Sequence, residues 1–470
     1  MNRILISTLG LCSVALPAQS IVVKNLQKPN FLIFIADDCT YSDIGCYGSE
    51  NSLTPNIDKF ASTGMQFTQG FEAAPISSPT RHNLYTGVWP VKSGAYPNHT
   101  YISNEEVVSV TQQLRPLGYS VGLVGKTHIN PIEKFDFDFL VHCKNAKSAE
   151  LEFDAINNFV SKNANKNKPF CAIIASNQPH SPWSEGDRAL FEPDKIVLPP
   201  NFVNTPETRE EYVKYLAEIN YMDNEFGRVL SILEKNGVRD NTVIVFLSEQ
   251  GAAMPFAKYT LYDAGVHSAY IVNWTNHIEP GSTSDAIVEY VDIVPTFIDI
   301  AGGEPVAPVD GKSIKDVLLG KKDTHKKYTY SIGSSNGNYS IRAIYDGTYR
   351  YILNLMSENT VSSALCGKEI FRSWMKAAKT DGKAAELVKK FKNRPSVELY
   401  NIQEDRFCMN NLANDPAYQA KIKELDDALK TWMHECGDEG VATELEAPKH
   451  RYGVVKHGEE NIDKKKRSKR

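Results

Sequence analysis

Cysteine is scarce in this sequence. The 470 residues include only eight cysteines, and they form no C-x-x-C pair and no Cys/His spacing typical of a zinc site. Cys12 lies in an N-terminal segment that we expect to be removed, and the odd number that remains cannot pair completely. Cys39 and Cys46 could form a disulfide with each other, but buried free thiols fit the pattern equally well. These observations exclude a zinc-finger protein and a small fold held by disulfides.

The sequence also lacks an apolar run long enough to span a bilayer. The longest candidate, Ile4–Leu16, follows an arginine, precedes a small residue at a cleavage position, and is too short for a permanent membrane helix. We therefore predict a signal peptide over residues 1–18 and a secreted or periplasmic protein with no integral membrane segment. A lipid anchor on Cys12 fits less well, because Leu11 is bulky where a small residue is expected.

Positive charge is in deficit as well. Lysine and arginine number 52 against 57 acidic residues, which gives a formal net charge of −5. Six of the last seven residues are basic, so the rest of the chain is more acidic than the total suggests. This distribution argues against a nucleic-acid-binding face on the folded part. We predict that residues 451–470 form a basic, disordered tail, with an electrostatic anchor as the alternative.

Short apolar runs alternate with helical patterns over most of the chain. Phe31–Ala36 is almost unbroken and ends at two aspartates, and similar runs occupy residues 120–124, 170–175 and 242–247. Such runs are typical of strands buried on both faces of a parallel sheet, where ligands bind beyond the carboxyl ends. Residues 207–235 keep the 3.6-residue period of an amphipathic helix. We predict an α/β domain over residues 19–320.

The pattern changes after about residue 320. Residues 341–355 alternate between apolar and polar on either side of Asp346-Gly347, which is typical of a β-hairpin. Residues 418–436 follow as an amphipathic helix. We predict a smaller α+β subdomain over residues 321–450.

The most specific stretch begins at Ser77 and reads Ser-Ser-Pro-Thr-Arg-His-Asn-Leu-Tyr-Thr-Gly. A serine just before Pro79, at the start of a helix, lies where free N–H groups and the helix dipole favour an anion. Arg81 lies one turn further along the same face. An ordinary helix start would produce the same short S-x-P-x-R pattern, so the neighbouring motifs must decide between the two interpretations.

Together with its neighbours, this stretch resembles the type I, formylglycine-dependent sulfatases of the alkaline-phosphatase superfamily. The motifs follow the family's order between about residues 30 and 311, with weaker similarity at 398–401 and 411–412. The matching motifs are Ala36-Asp37-Asp38, Thr54-Pro55-Asn56-Ile57-Asp58, Phe67-Thr68, Ser77–Gly87, Gly125-Lys126-Thr127-His128 and Pro179-His180-Ser181-Pro182. The resemblance implies an alkaline-phosphatase-like fold, with a mixed, mainly parallel sheet between helices, and a carbohydrate sulfatase.

In that family the residue at the position of Ser77 is oxidised to formylglycine. Because serine is encoded here, the resemblance implies an anaerobic-type sulfatase-maturing enzyme as a partner. One hydroxyl of a hydrated aldehyde attacks sulfur, and the other expels sulfate as the aldehyde re-forms. A serine sulfate has no second hydroxyl and would stay trapped, which explains why an unmodified serine would not serve.

A metal site is also implied. Asp37 and Asp38 offer the hard oxygen ligands that Ca²⁺ prefers. The family adds an acid–amide pair after a later strand, and here Glu249 and Gln250 stand in that place, each one methylene longer than usual. The resemblance therefore implies a Ca²⁺ site formed by these four residues with Ser77. Mg²⁺ is the alternative for a tighter site, and a capped turn is the alternative for the later pair.

The remaining roles follow from the resemblance by position. Arg81 and Lys126 would hold the formylglycine hydrate and neutralise a sulfate oxygen. His128 would relay a proton from the hydrate, and His180 would act as the general acid on the leaving oxygen. Lys258 would be a second sulfate-binding lysine.

The substrate is less defined by the sequence. Three residues beside the motifs could contact a sugar ring, although the last could equally be packing: Asn98, His99 and Trp183. Residues 254–262 faintly resemble the heparan N-sulfatase branch, which favours a glycosaminoglycan or mucin-type glycan over a steroid or aryl sulfate and leaves O- and N-sulfate open. We expect an exo-acting enzyme. A phosphomonoesterase or phosphodiesterase would need a second, histidine-containing metal cluster, which we do not find. A non-catalytic, glycan-binding pseudo-sulfatase with an unoxidised Ser77 stays open.

Overall fold

A computed structural model of the protein describes residues 28–142, 150–335 and 339–452. The predicted signal peptide, Cys12 and nearly all of the predicted basic tail lie outside these residues. Within them, no helix is both long enough and apolar enough to cross a membrane. The six cysteines described are free thiols, so Cys39 and Cys46 do not form a disulfide with each other.

The described residues form fourteen strands, numbered in chain order. They are β1 (Asn30–Ile35), β2 (Met65–Phe67), β3 (Gly70–Phe71), β4 (Ser120–Gly125), β5 (Phe139–His142), β6 (Phe170–Ala175), β7 (Thr242–Leu247), β8 (Tyr270–Asn273), β9 (Ser282–Ser284), β10 (Val288–Glu289), β11 (Thr329–Ser334), β12 (Ser340–Tyr345), β13 (Tyr349–Asn354) and β14 (Val397–Asn401).

The α-helices are also numbered in chain order. They are α1 (Pro55–Ala61), α2 (Ser77–Thr86), α3 (Pro90–Ser93), α4 (Val110–Leu114), α5 (Ile132–Phe135), α6 (Phe153–Ala164), α7 (Pro206–Lys235), α8 (Asp263–Val266), α9 (Ile293–Ile300), α10 (Lys315–Leu318), α11 (Glu369–Ala377), α12 (Gly382–Lys392), α13 (Gln419–Glu435) and α14 (Val441–Glu446). Short 3₁₀ turns occupy Tyr41–Asp43, Gly45–Tyr47, Arg115–Leu117, Arg188–Leu190, Pro193–Lys195, Arg239–Asn241, Tyr290–Asp292, Ala364–Gly367, Pro416–Tyr418 and Ala447–His450.

The central sheet has eight strands in the order β5-β4-β6-β1-β7-β8-β2-β9. Strands β5, β4, β6, β1 and β7 run parallel to one another, and β8 is antiparallel to both of its neighbours. β1 therefore lies inside the sheet, between β6 and β7, and its whole length is buried. The predicted mixed, mainly parallel sheet is confirmed.

Helices cover both faces of this sheet, as the unbroken apolar strands require. Phe31, Ile33 and Ile35 of β1 belong to one hydrophobic core, which includes residues of α4 and α9. Leu32 and Phe34 point the other way, because side chains alternate along a strand, and join a core that includes α7. Both faces of β1 are thus removed from water, and polar residues are displaced to its ends.

The long helix α7 confirms the amphipathic helix that the 3.6-residue period predicted over residues 207–235. It begins after Thr205, whose hydroxyl oxygen accepts a hydrogen bond from the Thr208 N–H at 3.1 Å, and Pro206 occupies its first position. It ends before Gly237, which adopts a φ of 66°. One face of the helix, including Met222 and Phe226, is completely buried against the sheet.

A second sheet of four antiparallel strands, β11-β12-β13-β14, follows in the chain. The predicted hairpin is confirmed: β12 and β13 pair across a turn in which the Asp346 carboxylate accepts from the N–H groups of Thr348 and Tyr349, and Gly347 adopts a φ of 95°. The predicted helix is α13, which packs on this sheet through Leu429 and its neighbours. The domain boundary near residue 320 stays a prediction, although the second sheet begins only at β11.

Candidate active site

Four adjacent strands of the central sheet end at the same edge. In the order β4, β6, β1 and β7 they run parallel, so their carboxyl ends meet. Backbone hydrogen bonds continue past the strands, from Ala36 N to Leu247 O at 2.9 Å and from Lys126 N to Ala175 O at 2.9 Å. Each of these strands is followed by predicted site residues. Lys126 and His128 follow β4, and His180 follows β6. Asp37 and Asp38 follow β1, and Glu249 and Gln250 follow β7.

Ser77 occupies the first position of α2, beside this edge, and is 1% exposed. Its hydroxyl lies 3.2 Å from an oxygen of Asp37 and 3.3 Å from an oxygen of Glu249, and it can donate to either. The same oxygen accepts from the Lys126 ammonium at 3.2 Å and from the Gln250 amide at 2.7 Å. The structure therefore places Ser77 at the centre of the predicted residues.

Three carboxylates are buried together in the site. Asp37, Asp38 and Glu249 each contribute an oxygen, and these oxygens lie within 4.8 Å of one another. The backbone turns sharply where the strands end, since Asp38 and Glu249 have φ values of 61° and 53°. Like charges this close in a buried site repel one another strongly, so the cluster requires positive charge nearby.

Three cations meet these carboxylates. The Arg81 Nε lies 2.7 Å from Glu249, the Lys126 ammonium contacts Asp37, and Lys258 Nζ lies 2.6 Å from Asp38. Burial alone would raise the pKa of Asp37, but Lys126, His180 and Arg81 together hold it well below the usual range. Burial raises the pKa of Glu249, and Arg81 offsets this only in part. Three positive charges thus face three buried carboxylates at close range.

His180 stands at the solvent side of the cluster. Its Nδ1 donates to the carbonyl oxygen of Ser181 at 2.6 Å, so its Nε2 is the nitrogen that can gain or lose a proton. That Nε2 lies 3.5 Å from an oxygen of Asp38, and 37% of the side chain is exposed. A ligand can therefore reach a proton-transferring nitrogen directly beside the buried carboxylates.

His128 and His99 contact each other at the same edge. Nε2 of His128 lies 3.1 Å from Nδ1 of His99, and both residues have a positive φ. Burial is the main cause that lowers the pKa of His128 well below its usual range, and the charge of Lys126 comes next. His128 is therefore a neutral imidazole at pH 7, able to accept a proton.

The three predicted sugar contacts lie in different environments. His99 is exposed, and Asn98 is half-buried with a side-chain oxygen to which no donor among the described residues bonds. Trp183 is only 7% exposed; its indole N–H donates to Pro179 O at 2.8 Å and its ring packs against Tyr215. Trp183 therefore offers a substrate little surface, and its placement agrees with the packing interpretation.

The structure adds supporting residues that the sequence analysis missed. The Tyr290 hydroxyl accepts from the Glu249 N–H at 2.9 Å and so helps to hold the turn after β7. His82 joins α2 to the segment after β4, because its ring contacts Ser78 O at 2.7 Å and the Asn130 N–H at 3.1 Å. Both are ordinary core residues in sequence, and only the folded contacts identify them.

The donor set fits a hard cation. Every ligand candidate offers oxygen, and neither thiolate nor imidazole joins the carboxylate cluster found in the described residues. The Gln250 amide nitrogen faces Asp38 and Ser77, while its buried oxygen receives no hydrogen bond from any described residue. Rotating the amide by half a turn would bring that oxygen to face the carboxylates. A divalent cation bound here would add to the positive charge of Arg81, Lys126 and Lys258 around the three carboxylates.

Comparisons with known proteins point to one family. A family model described as Sulfatase matches residues 29–303. The chain is 31% identical over 421 residues to an ulvan-active sulfatase of Formosa agariphila, covering 88% of this chain and 81% of that protein. It is 24% identical to human N-sulphoglucosamine sulphohydrolase, covering 90% of this chain and 94% of the human one.

A solved structure shares the fold. It shows a protein in complex with its substrate D-glucosamine-2-N,6-O-disulfate, and it superposes with a TM-score of 0.68 at 20% identity. The match covers 88% of this chain and 99% of that one. The predicted alkaline-phosphatase-like fold and the resemblance to carbohydrate sulfatases are thereby confirmed.

We expect His128 to remain neutral at about pH 6.5, where an ordinary imidazole is half protonated. NMR on histidine-labelled protein, with the signal assigned through His128→Gln, measures this directly. Lys126→Met should move the titration of His128 to higher pH, because Lys126 is the second cause of the lowered pKa. A wild-type His128 that is half protonated at or above that pH would contradict the electrostatic description.

Proposed function

The chain belongs to the sulfatase family, and on that premise we propose that it is an exported, exo-acting carbohydrate sulfatase that uses a formylglycine made from Ser77. The observation that carries the proposal is the set of contacts at Ser77. Two carboxylates, one ammonium and one amide surround its hydroxyl within 3.3 Å. A helix start without a catalytic role has no need of buried charge of both signs.

Formylglycine, once hydrated, would supply one hydroxyl to attack sulfur and a second to expel sulfate. The surroundings of Ser77 suit such a group, because acceptors on Asp37 and Glu249 and a donor on Lys126 all lie within hydrogen-bond distance of its hydroxyl. A separate maturing enzyme of the anaerobic type would carry out the oxidation, since the encoded residue is serine.

The charged and titratable residues of the site have separate roles in the proposed reaction. Lys126 and Arg81 hold the nucleophile and place positive charge where a sulfate oxygen develops negative charge. His180 lies at the accessible side of the cluster, with its Nε2 3.5 Å from Asp38, and would donate a proton to the leaving sugar oxygen there. Neutral His128 accepts a proton when sulfate is released. Lys258, now paired with Asp38, is the second lysine for sulfate.

The metal in this proposal is Ca²⁺, with Mg²⁺ as the alternative. Asp37, Asp38, Glu249 and Gln250 would hold it beside Ser77. When bound, it would neutralise the buried carboxylates and attract the sulfate group. The single cluster of the described residues contains no histidine, which disfavours the two-metal phosphomonoesterase or phosphodiesterase.

The sugar class is inferred from relatives. The proteins that this chain matches are named for ulvan, for N-sulphoglucosamine and for N-acetylglucosamine 6-sulfate. We therefore propose a sulfated polysaccharide or glycosaminoglycan substrate, with an N-sulfoglucosamine sulfohydrolase activity as the second candidate. Export to the periplasm or beyond rests on the N-terminal sequence and would place the enzyme where such glycans are degraded.

Ser77→Ala should abolish sulfate release while leaving the fold intact, because the Ser77 hydroxyl caps no helix N–H and the loss of one buried hydrogen-bonding group costs about 1–3 kcal/mol. Ser78→Ala is the matched control, since no described residue bonds its buried hydroxyl and it should stay active. Intact-mass analysis of protein from the native host should show the loss of two hydrogens at Ser77. An unoxidised but glycan-binding protein would favour the pseudo-sulfatase instead.

Chelation should remove activity, and Ca²⁺ should restore it better than Zn²⁺, because the site offers only oxygen ligands. Ca²⁺ at about one hundred times its Kd should also raise the free energy of unfolding by about 2.7 kcal/mol. Asp37→Asn should lose this stabilisation, whereas Asp427→Asn, an exposed control, should keep it. Full activity in excess chelator, with no metal found by elemental analysis, would rule out the proposed cation.

His180→Ala should cost about 10²–10⁴-fold in kcat/KM on a sulfated sugar, because a sugar alkoxide leaves poorly without a proton. The loss on an accepted nitrophenyl sulfate should be far smaller, since that leaving group needs little proton. Lys126→Ala is the control and should damage both esters alike, because it acts on the sulfate itself. Equal losses for His180→Ala on both esters would show that His180 only positions sulfate.

A further inference from the structure

Lys368 brings a further positive charge to the edge of the proposed active site. It precedes α11, in the C-terminal part of the chain, more than one hundred residues after Lys258. Its Nζ donates to the Ser181 hydroxyl at 2.7 Å, and the carbonyl oxygen of Ser181 accepts from His180. Lys368 therefore contacts the residue that directly follows His180, the histidine proposed to protonate the leaving sugar oxygen.

Stability does not explain this position. Lys368 is half-buried, and none of the described residues offers its ammonium group a carboxylate at ion-pair distance. Glu211, the nearby acid that is not part of the cluster, is paired with Lys214 at 2.6 Å. Burial and the charge of Lys258 lower the pKa of Lys368, and Asp38 and Glu211 offset this only in part.

The helix that follows Lys368 also disfavours a positive charge at this position. Lys368 occupies the N-cap position of α11 and makes no side-chain cap. The amino end of a helix carries partial positive charge, so a cation is disfavoured there and an anion is favoured. The charge of Lys258 and the amino end of α11 thus both disfavour the Lys368 ammonium. A negatively charged ligand would offset both effects.

We propose that Lys368 binds a second anionic group of the substrate sugar, a carboxylate or a further sulfate, beside the ester that is cleaved. This inference rests on the proposed function. Because His180 would protonate the leaving oxygen, the sugar ring lies next to His180 and within reach of the neighbouring lysine. Lys368 would then select sugars that carry two anionic groups over sugars that carry one.

The test measures dissociation constants by calorimetry in a Ser77→Ala background with Ca²⁺ present, so that no turnover occurs. Three ligands are compared. N-acetylglucosamine 6-sulfate carries one anionic group, D-glucosamine 2-N,6-O-disulfate carries a second sulfate, and a disaccharide of a hexuronic acid and N-acetylglucosamine 6-sulfate carries a carboxylate. A single charge-assisted contact predicts that at least one dianionic sugar binds about 10- to 100-fold more tightly than the monoanionic sugar. The sugar that binds more tightly shows whether Lys368 prefers a sulfate or a carboxylate.

Lys368→Gln should remove this gain and leave binding of the monoanionic sugar unchanged, whereas Lys368→Arg should keep most of it. Lys376→Gln, on the exposed side of α11, is the charge-matched control and should change nothing. Ser181→Ala removes the hydrogen-bond partner of Lys368 but not its charge, and should preserve the preference.

A purely structural role for Lys368 would weaken all three sugars equally, and that result would overturn the proposal. The proposal would also be overturned if neither dianionic sugar bound more tightly than the monoanionic sugar, or if none of the three sugars bound. The same holds if the tighter binding of a dianionic sugar persisted in Lys368→Gln. Failure of the proposed function would be recognised separately, by wild-type protein from the native host that releases no sulfate and keeps Ser77 unoxidised.

Discussion

The burial of three carboxylates within 4.8 Å of one another is the constraint on which the rest of this site depends. Asp37, Asp38 and Glu249 are almost inaccessible to water, and each would be protonated or expelled without nearby positive charge. Arg81, Lys126 and Lys258 contact them directly. Such an arrangement is costly for stability, since breaking one buried partner leaves the other uncompensated. In the proposed function its value lies in chemistry, because a sulfate group and a cation would bind in a prearranged, largely dry environment.

The sheet makes this concentration of charge achievable. Strands that are apolar on both faces carry no charged side chain along their length, so charged residues follow the last strand residue. Parallel order then brings four such ends together, although their sequence positions span more than two hundred residues. The helix that starts at Ser77 points its amino end at the same place, which completes the site with free N–H groups and a dipole suited to an anion.

The reaction and the choice of substrate come from different parts of the chain. The groups proposed to act on sulfate follow strands of the central sheet, start α2 or lie in the loop between β7 and β8. The cation proposed to recognise the rest of the sugar comes from the segment before α11. This division explains why the motifs indicate a sulfatase clearly, while the sugar is only outlined by relatives that are themselves named for different glycans.

The sequence by itself determined the strands β1, β6 and β7, the helix α7 and the hairpin at Asp346, because local periodicity and local turn chemistry suffice for each. The motif residues around Ser77 were identified through their resemblance to a known family. The sequence did not determine how these residues contact one another. Pairing of Lys258 with Asp38, burial of Trp183 and the support from Tyr290 and His82 depend on side chains far apart in sequence, which leave no local pattern. Lys368 is the clearest case: in sequence it is one lysine among many before a helix. Only the tertiary structure shows that its charge lies beside His180 with no carboxylate partner among the described residues.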